Sequence, residues 1–132
     1  RGNGSESDQQ TLIRLAAPKR GIWLTRNNVG ALMDARGIPV RYGLVNESAK
    51  QNEKIKSGDL IGIMPVRTGP EHVGHVIGQF VSVECKHRGW RWKGDEREQA
   101  QQKWAEFVVA KGGRAIYANE PERLDDLREV RV

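Results

Sequence analysis

Two apolar runs in the middle of the chain have the pattern of neighbouring β-strands. The first follows Asp59 and extends over residues 60–64, and the second covers residues 76–86. Side chains in a strand alternate between two faces. In the second run one face is apolar and the other polar: Val81, Val83 and Cys85 against Ser82, Glu84 and Lys86. Charged residues are therefore expected at the start of the first strand and at the end of the second.

Three other segments carry helical patterns. Residues 9–17 follow a capping box formed by Ser5 and Asp8, and their apolar stripe is expected to consist of Leu12, Ile13, Leu15 and Ala16. Residues 95–111 begin with a capping box at Asp95 and stop at a glycine pair. The last helix is predicted to begin at Pro121 and to turn two leucines inward, Leu124 and Leu127.

Shorter patterns complete the order of elements. Three segments are predicted as strands: 22–26, 39–43 and 115–118. Turns are predicted at 27–30 and 34–37, and the polar segment 46–58 is predicted as a surface loop or a short exposed helix. The predicted order of elements is helix, strands, helix, strand and helix. This order indicates an α/β class with a mixed central sheet flanked by helices.

Composition sets the broad class. The 132 residues are enough for one core, and a single domain is expected over residues 5–132 behind a loose polar end at 1–4. The net charge of +5 favours a polyanionic partner. Cys85 is the sole cysteine, so an intracellular, cytoplasmic setting is expected. No apolar run approaches the ~20 residues of a membrane span, and no secretory leader pattern is visible, so no membrane partner is expected.

The candidate chemistry lies at the charged strand ends. An acid that opens one strand, here Asp59, and Glu-x-Lys at the end of the next, here Glu84 and Lys86, are typical of metal-dependent nucleases. Two carboxylates that converge on one point need a cation. The alternative interpretation is a pair of strand ends that emerge into solvent. Gln101 adds a polar position to an otherwise apolar helical stripe, where it either finds a protein partner or touches water at the edge.

The segment 87–94, after Lys86, is basic and aromatic. Its cations are expected to contact phosphates: Arg88, Arg91 and Lys93. Its tryptophans, Trp90 and Trp92, either stack on unpaired bases or fold back onto the core or a partner subunit.

A rival zinc site would use His72, His75 and Cys85, but the sequence contains no second cysteine. No nucleophile-elbow pattern of a serine hydrolase is present.

The ordered set of motifs resembles the virus-type replication-repair nuclease domain (VRR-NUC), a branch of the PD-(D/E)XK nuclease superfamily, in its stand-alone phage and prophage form. The matching pieces extend over residues 5–128: Glu6-x-x-x-Gln10, Arg26-Asn27-Asn28-Val29-Gly30, Arg41-Tyr42-Gly43, Ser57-Gly58-Asp59-Leu60-Ile61-Gly62, Phe80-x-x-x-Glu84-x-Lys86, Gln101-x-x-Trp104 and Gly112-Gly113. Two departures are Gly58, where the family usually has proline, and a longer polar segment at 46–58.

The resemblance implies a restriction-endonuclease-like core with the order αβββαβ and a DNA endonuclease that uses Mg²⁺ or Mn²⁺. It implies metal binding by Glu6, Asp59, Glu84 and the Cys85 backbone carbonyl, with Lys86 and Gln101 completing the catalytic set. It also implies DNA contacts by Arg26 and Asn27, a homodimer, a phage or prophage origin, and branched substrates of the Holliday-junction or flap type. The alternative function is a DNA-binding or assembly module that retains the fold without cutting.

Overall fold

The computed structural model describes residues 4–128 of the chain. Residues 1–3 and 129–132, which include most of the predicted loose end and the last residues of the predicted domain, lie outside the described residues.

The helices and strands, in chain order, are α1 (Glu6–Ala16), β1 (Trp23–Arg26), β2 (Gly30–Met33), β3 (Pro39–Tyr42), α2 (Ala49–Lys54), β4 (Leu60–Arg67), β5 (Val76–Cys85), α3 (Glu96–Ala110) and β6 (Arg114–Ala118). Three 3₁₀ helices complete them: Pro18–Arg20, Pro70–His72 and Pro121–Arg128. Within the described part of the chain, no helix is both long and apolar enough to cross a membrane.

Four strands form a mixed sheet in the order β1-β4-β5-β6. β4 is antiparallel to both β1 and β5, whereas β6 is parallel to β5. The parallel pair needs a crossover connection, and α3 supplies it. The prediction of a mixed sheet with helices, an α/β class, is confirmed.

The two faces of the sheet have different partners. On one face the apolar side chains of β4, β5 and β6 pack with α1 and the last 3₁₀ helix in a core that includes Ile13, Leu60, Val81, Val83, Leu124 and Leu127. On the other face α3 lies against β5, and the Trp104 indole donates a hydrogen bond to Ser82 Oγ at 2.8 Å. The polar face of β5 is therefore enclosed by a helix over its second half.

The first helix buries a different stripe from the one predicted. Gln9, Ile13 and Ala17 are fully buried, whereas Leu15 is 67% exposed. Buried positions four residues apart stay on one side of an α-helix, and Leu15 lies away from that line. The prediction for Leu15 was wrong because its neighbours alone do not show which side of the helix meets the sheet.

A hairpin lies outside the main sheet. β2 pairs with β3 in a two-stranded sheet, with the predicted turn at 34–37 between them. β2 was not predicted as a strand because its residues are mostly exposed and show no alternation of apolar and polar positions.

The remaining predictions hold with small changes. The polar segment 46–58 contains a short exposed helix, α2, which is one of its two predicted forms. β4 continues through Pro65 to Arg67. β1 begins with Trp23 opposite Ile63, so β4 has no partner strand on that side at Pro65, where a proline is tolerated. The last helix is a 3₁₀ helix, in which positions three apart share a side, and Leu124 and Leu127 are buried as predicted.

Candidate metal centre

Three carboxylates meet at one end of the sheet. Glu6 begins α1, Asp59 precedes β4, and Glu84 is near the end of β5. Each offers an oxygen, and these oxygens lie within 4.8 Å of one another. The register explains the meeting, because Leu60 pairs with Val83, which brings the preceding Asp59 opposite Glu84.

Backbone groups hold Asp59 in place. Its Oδ2 accepts a hydrogen bond from the Cys85 N–H at 2.8 Å. The next amide, of Lys86, donates in the other direction, to Ala118 O on β6 at 2.9 Å. The N–H and C=O of a single strand residue point to the same side, so the Cys85 carbonyl is directed toward Asp59. This is the carbonyl that the resemblance names as a metal ligand.

Glu84 is strongly perturbed. The side chain is buried, and burial raises its pKa to about 10, with the hydrogen bond to Asp59 and the charges of Asp59 and Glu6 adding to the effect and Lys86 opposing it. In the metal-free protein these surroundings favour the protonated form of Glu84. A divalent cation between these oxygens would replace that proton, and a donor set of oxygens alone fits Mg²⁺ or Mn²⁺.

The rival zinc site, made of His72, His75 and Cys85, does not fit the structure. Burial and the neighbouring carboxylates raise the pKa of the Cys85 thiol, which disfavours the thiolate that zinc requires. His72 and His75 precede β5, whereas Cys85 is its last residue. Strands rise ~3.3 Å per residue, so the histidines and the thiol are separated by roughly 30 Å.

Lys86 lies beside the acidic cluster in a defined pocket. Its Nζ donates to Gln101 Oε1 at 2.8 Å, and both side chains are buried. The ammonium also lies 5.2 Å from the ring centre of Trp90 and 6.0 Å from that of Tyr117. Of the two interpretations of Gln101, the structure therefore has the protein partner: the side chain is buried, and its amide oxygen accepts a hydrogen bond from Lys86.

Trp90 folds back onto the protein. Its ring stacks on Tyr117 with centroids 5.4 Å apart, and its indole N–H donates to Glu98 Oε2 at 2.8 Å. Trp92 meets Tyr117 edge-on and remains 48% exposed. Of the two interpretations open from the sequence, Trp90 takes the inward one, and only Trp92 presents a largely free ring. The cations of this segment are all exposed: Arg88, Arg91 and Lys93.

Glu98 organises this segment from α3. Besides the indole of Trp90, it accepts the backbone N–H groups of Lys93 and Gly94 at 2.7 and 2.8 Å. Burial by itself would raise the pKa of Glu98, but these donors outweigh it and hold the pKa below its usual value. A charged carboxylate therefore anchors the tip of the segment 87–94.

Arg26 and Asn27 have different surroundings. The Asn27 amide donates to Ser57 Oγ and Gly58 O, both at 2.8 Å, and its Oδ1 accepts from Leu44 N at 3.2 Å. Asn27 thus holds the segment that leads to Asp59, whereas Arg26 is exposed at the end of β1.

The residue before the acid, Gly58, is enclosed. A Cβ at this position would collide with Ser82 Oγ and press on Val83 O. A side chain at position 58 is therefore excluded unless Ser82 moves.

A cavity of about 320 Å³ opens over the acidic cluster. Asp59, Glu84 and Gln101 line it together with three cations, Arg26, Lys56 and Arg97. Lys56 and Arg97 were not predicted. For Arg97 a signal existed, because it lies one helical turn before Gln101.

Comparison with protein-family models, with curated proteins and with solved structures gave no match. The functional assignment therefore depends on the geometry of the site.

Proposed function

We propose that the protein is a Mg²⁺- or Mn²⁺-dependent endonuclease that hydrolyses phosphodiester bonds in DNA. The observation that carries the proposal is the meeting of three carboxylate oxygens within 4.8 Å of one another, next to a buried lysine bonded to a buried glutamine. The cavity over them also contains cations suited to a polyanion. The order of helices and strands is compatible with a PD-(D/E)XK core of the VRR-NUC type, which forms part of the proposal.

Asp59 and Glu84 would hold the metal ion, with the Cys85 carbonyl beside them and Glu6 acting directly or through water. When bound, such an ion supplies an activated water and charge stabilisation at the phosphate. The chain itself supplies the orientation. Asp59 is fixed by the Cys85 amide, which determines where its free oxygen points.

Lys86 is the group proposed to orient the attacking water or a phosphate oxygen. An ammonium has three N–H donors, and Gln101 takes one of them. The Lys86 side chain is in none of the ion pairs formed within residues 4–128. Its other donors therefore remain for water and substrate, while Gln101 and the ring of Trp90 restrict its position.

The test is nicking of supercoiled plasmid in Mn²⁺ or Mg²⁺. Asp59→Ala and Lys86→Ala are each expected to lower the rate by a factor of about 100 or more. Glu71→Ala and Lys103→Ala, which remove an exposed acid and an exposed base elsewhere, are the matched controls and are expected to cut normally. If Asp59→Ala and Lys86→Ala both still nick the plasmid at the wild-type rate, the proposed site is wrong.

The preferred DNA shape follows from the resemblance, so it needs its own experiment. Labelled four-way junctions, flaps and linear duplexes are compared under the same metal conditions, and junctions or flaps are expected to be cut faster. A wild-type protein that binds these substrates but cleaves no DNA or RNA would favour the alternative function, a non-cleaving assembly module.

A further inference from the structure

Two cations that are absent from the predicted site share a cavity with two acids of the cluster. Lys56 follows α2, and Arg97 lies in the first turn of α3. Both line the cavity that contains Asp59 and Glu84. The lining of this one cavity therefore combines acidic and basic side chains.

Lys56 is positioned by both helices. Its backbone N–H donates to Ala100 O of α3 at 3.1 Å. Its Nζ donates to Asn52 Oδ1 of α2 at 2.6 Å. The backbone bond fixes the start of the side chain, and the bond to Asn52 restrains the ammonium. The Lys56 side chain therefore samples fewer rotamers than a free surface lysine, so it loses less entropy when it binds an anion.

Within the described part of the chain, no ion pair neutralises these two cations, Lys56 and Arg97. Burial lowers the pKa of Lys56, the positive charge of Arg97 lowers it further, and Glu53 opposes the shift. Two neighbouring cations, one of them half-buried, are held at an unfavourable potential that an anion would relieve.

We infer that Lys56 and Arg97 form a subsite for a backbone phosphate of the nucleic acid strand, next to the phosphate that reacts. This inference rests on the proposed function, which places the reacting phosphate at the acidic cluster. The cavity volume of about 320 Å³ has room for a short stretch of backbone. The subsite holds the strand in the ground state, so it contributes to substrate affinity rather than to the chemical step.

The first experiment measures binding without cleavage. Fluorescein-labelled single-stranded and duplex 20-mers are titrated in EDTA, and Kd is followed by anisotropy over a series of salt concentrations. Lys56→Gln/Arg97→Gln is compared with Lys50→Gln/Lys103→Gln, which removes the same charge from exposed positions on α2 and α3. The cavity variant is expected to raise Kd about tenfold more than the control, and to reduce the salt slope by about 2.

Equal changes of Kd and of salt slope in the two double variants would overturn the inference. Arg97→Gln alone serves as a second variant, because this side chain is exposed and in no described ion pair, so its loss does not threaten folding. Arg97→Gln is expected to produce a significant part of the loss, and Arg97→Lys to restore most of it. An Arg97→Gln variant that binds as tightly as wild type would remove Arg97 from the subsite.

The second experiment separates the subsite from the catalytic proposal. In plasmid or oligonucleotide cleavage, the cavity variant is expected to raise KM about tenfold while kcat changes less than threefold. A fall in kcat at constant KM would overturn the inference, because it would place these cations on the reacting phosphate. If wild type cleaves nothing yet the binding difference persists, the proposed function fails and the anion subsite stands. If wild type cleaves DNA but the two double variants have the same Kd, the proposed function stands and the inference of an anion subsite fails.

Discussion

At the scale of single residues, Glu84 carries the clearest conflict between stability and the proposed function. Its carboxyl group is buried beside Asp59 and within reach of Glu6, and its pKa rises to about 10. A buried acid among acids is unfavourable for a metal-free protein. The cation proposed above for this site would relieve that cost.

The first prediction is that Glu84→Gln stabilises the metal-free protein at alkaline pH. The folded-state pKa is raised, so the stabilising contribution of the proton is complete below the ordinary pKa of 4.5 and is lost as pH rises toward 10. Wild type should therefore lose stability between pH 5 and pH 9, and Glu84→Gln should not. Melting temperatures in EDTA are expected to differ by several degrees at pH 9 and to agree near pH 4. Glu71→Gln, an exposed control, should follow wild type; parallel curves for wild type and Glu84→Gln would contradict the prediction.

The second prediction concerns the contact between Gly58 and Ser82. Gly58→Ala would force its Cβ into Ser82 Oγ, which is held by the Trp104 indole. Overpacking of this kind costs about 1–3 kcal/mol. Ser82→Ala removes the obstacle but leaves the indole N–H without its acceptor, which costs about 1–3 kcal/mol. In urea denaturation the double variant is expected to be more stable than the sum of the single effects predicts, by about 1 kcal/mol. Strict additivity would show that the two positions do not compete for the same space.

At the scale of elements, three of them enclose Lys86. β5 carries the lysine, α3 supplies Gln101 and Glu98, and β6 supplies Tyr117, on which Trp90 stacks. Glu98 does not touch the lysine; it holds Trp90 and the following backbone in place. Glu98 therefore acts on the site by positioning the ring of Trp90, and its charge also interacts with that of Lys86 at longer range.

The third prediction is that Glu98→Gln loosens the segment 87–94 and slows cleavage. A glutamine side chain has one acceptor oxygen in place of two, and its NH₂ group would face the N–H groups that now donate to Glu98. Some of these hydrogen bonds would therefore be lost. Cleavage is expected to fall about tenfold, while acrylamide quenching of tryptophan fluorescence increases. Glu96→Gln, on the exposed first turn of the same helix, is the matched control. Increased quenching at an unchanged cleavage rate would show that the segment does not position Lys86.

The predictable elements were those in which burial imposes a pattern. β5 alternates because its two faces have different partners, and α3 has a side-chain cap at Asp95 and an apolar stripe that ends before Gly112. β2 has no such pattern because its hairpin stands largely in solvent. Leu15 shows the same limit in a helix, since its exposure depends on how α1 is rotated against the sheet.

Asp59, Glu84 and Lys86 were predictable because residue type and strand spacing restrict them. Gln101 stood out as a polar residue on an apolar helical stripe, whereas Glu6 was expected only from the family resemblance. The cations of the cavity were not predictable, since Lys56 resembles any lysine of a polar segment until α2 is packed against α3. Trp90 could not be assigned to base stacking or to the core, because that depends on the path of the segment to Glu98.

At the scale of the whole molecule, the acidic cluster joins parts of the chain that are otherwise held by the core. Glu6 comes from the first turn of α1, Asp59 from the approach to β4, and Glu84 from the end of β5. An ion bound by all three would connect the first helix directly to two central strands. Binding to the folded state alone stabilises it by about 2.7 kcal/mol at a ligand concentration of 100 times Kd.

The last prediction is that Mn²⁺ or Mg²⁺ raises the melting temperature of the protein and slows hydrogen exchange in α1. The increase is expected to be several degrees in wild type at saturating metal and to vanish in Asp59→Ala. Glu6→Gln separates the contribution of the helix: if Glu6 binds the ion, this variant should retain part of the thermal shift but lose the slower exchange in α1. Asp8→Asn, two residues further along the same helix and outside the cluster, is the control and should behave as wild type. The Glu6→Gln variant could instead show the same metal-induced rise in melting temperature as wild type, with exchange in α1 still slowed. This result would mean that Asp59 and Glu84 bind the ion without Glu6, whose role would then be limited to the N-terminus of the helix.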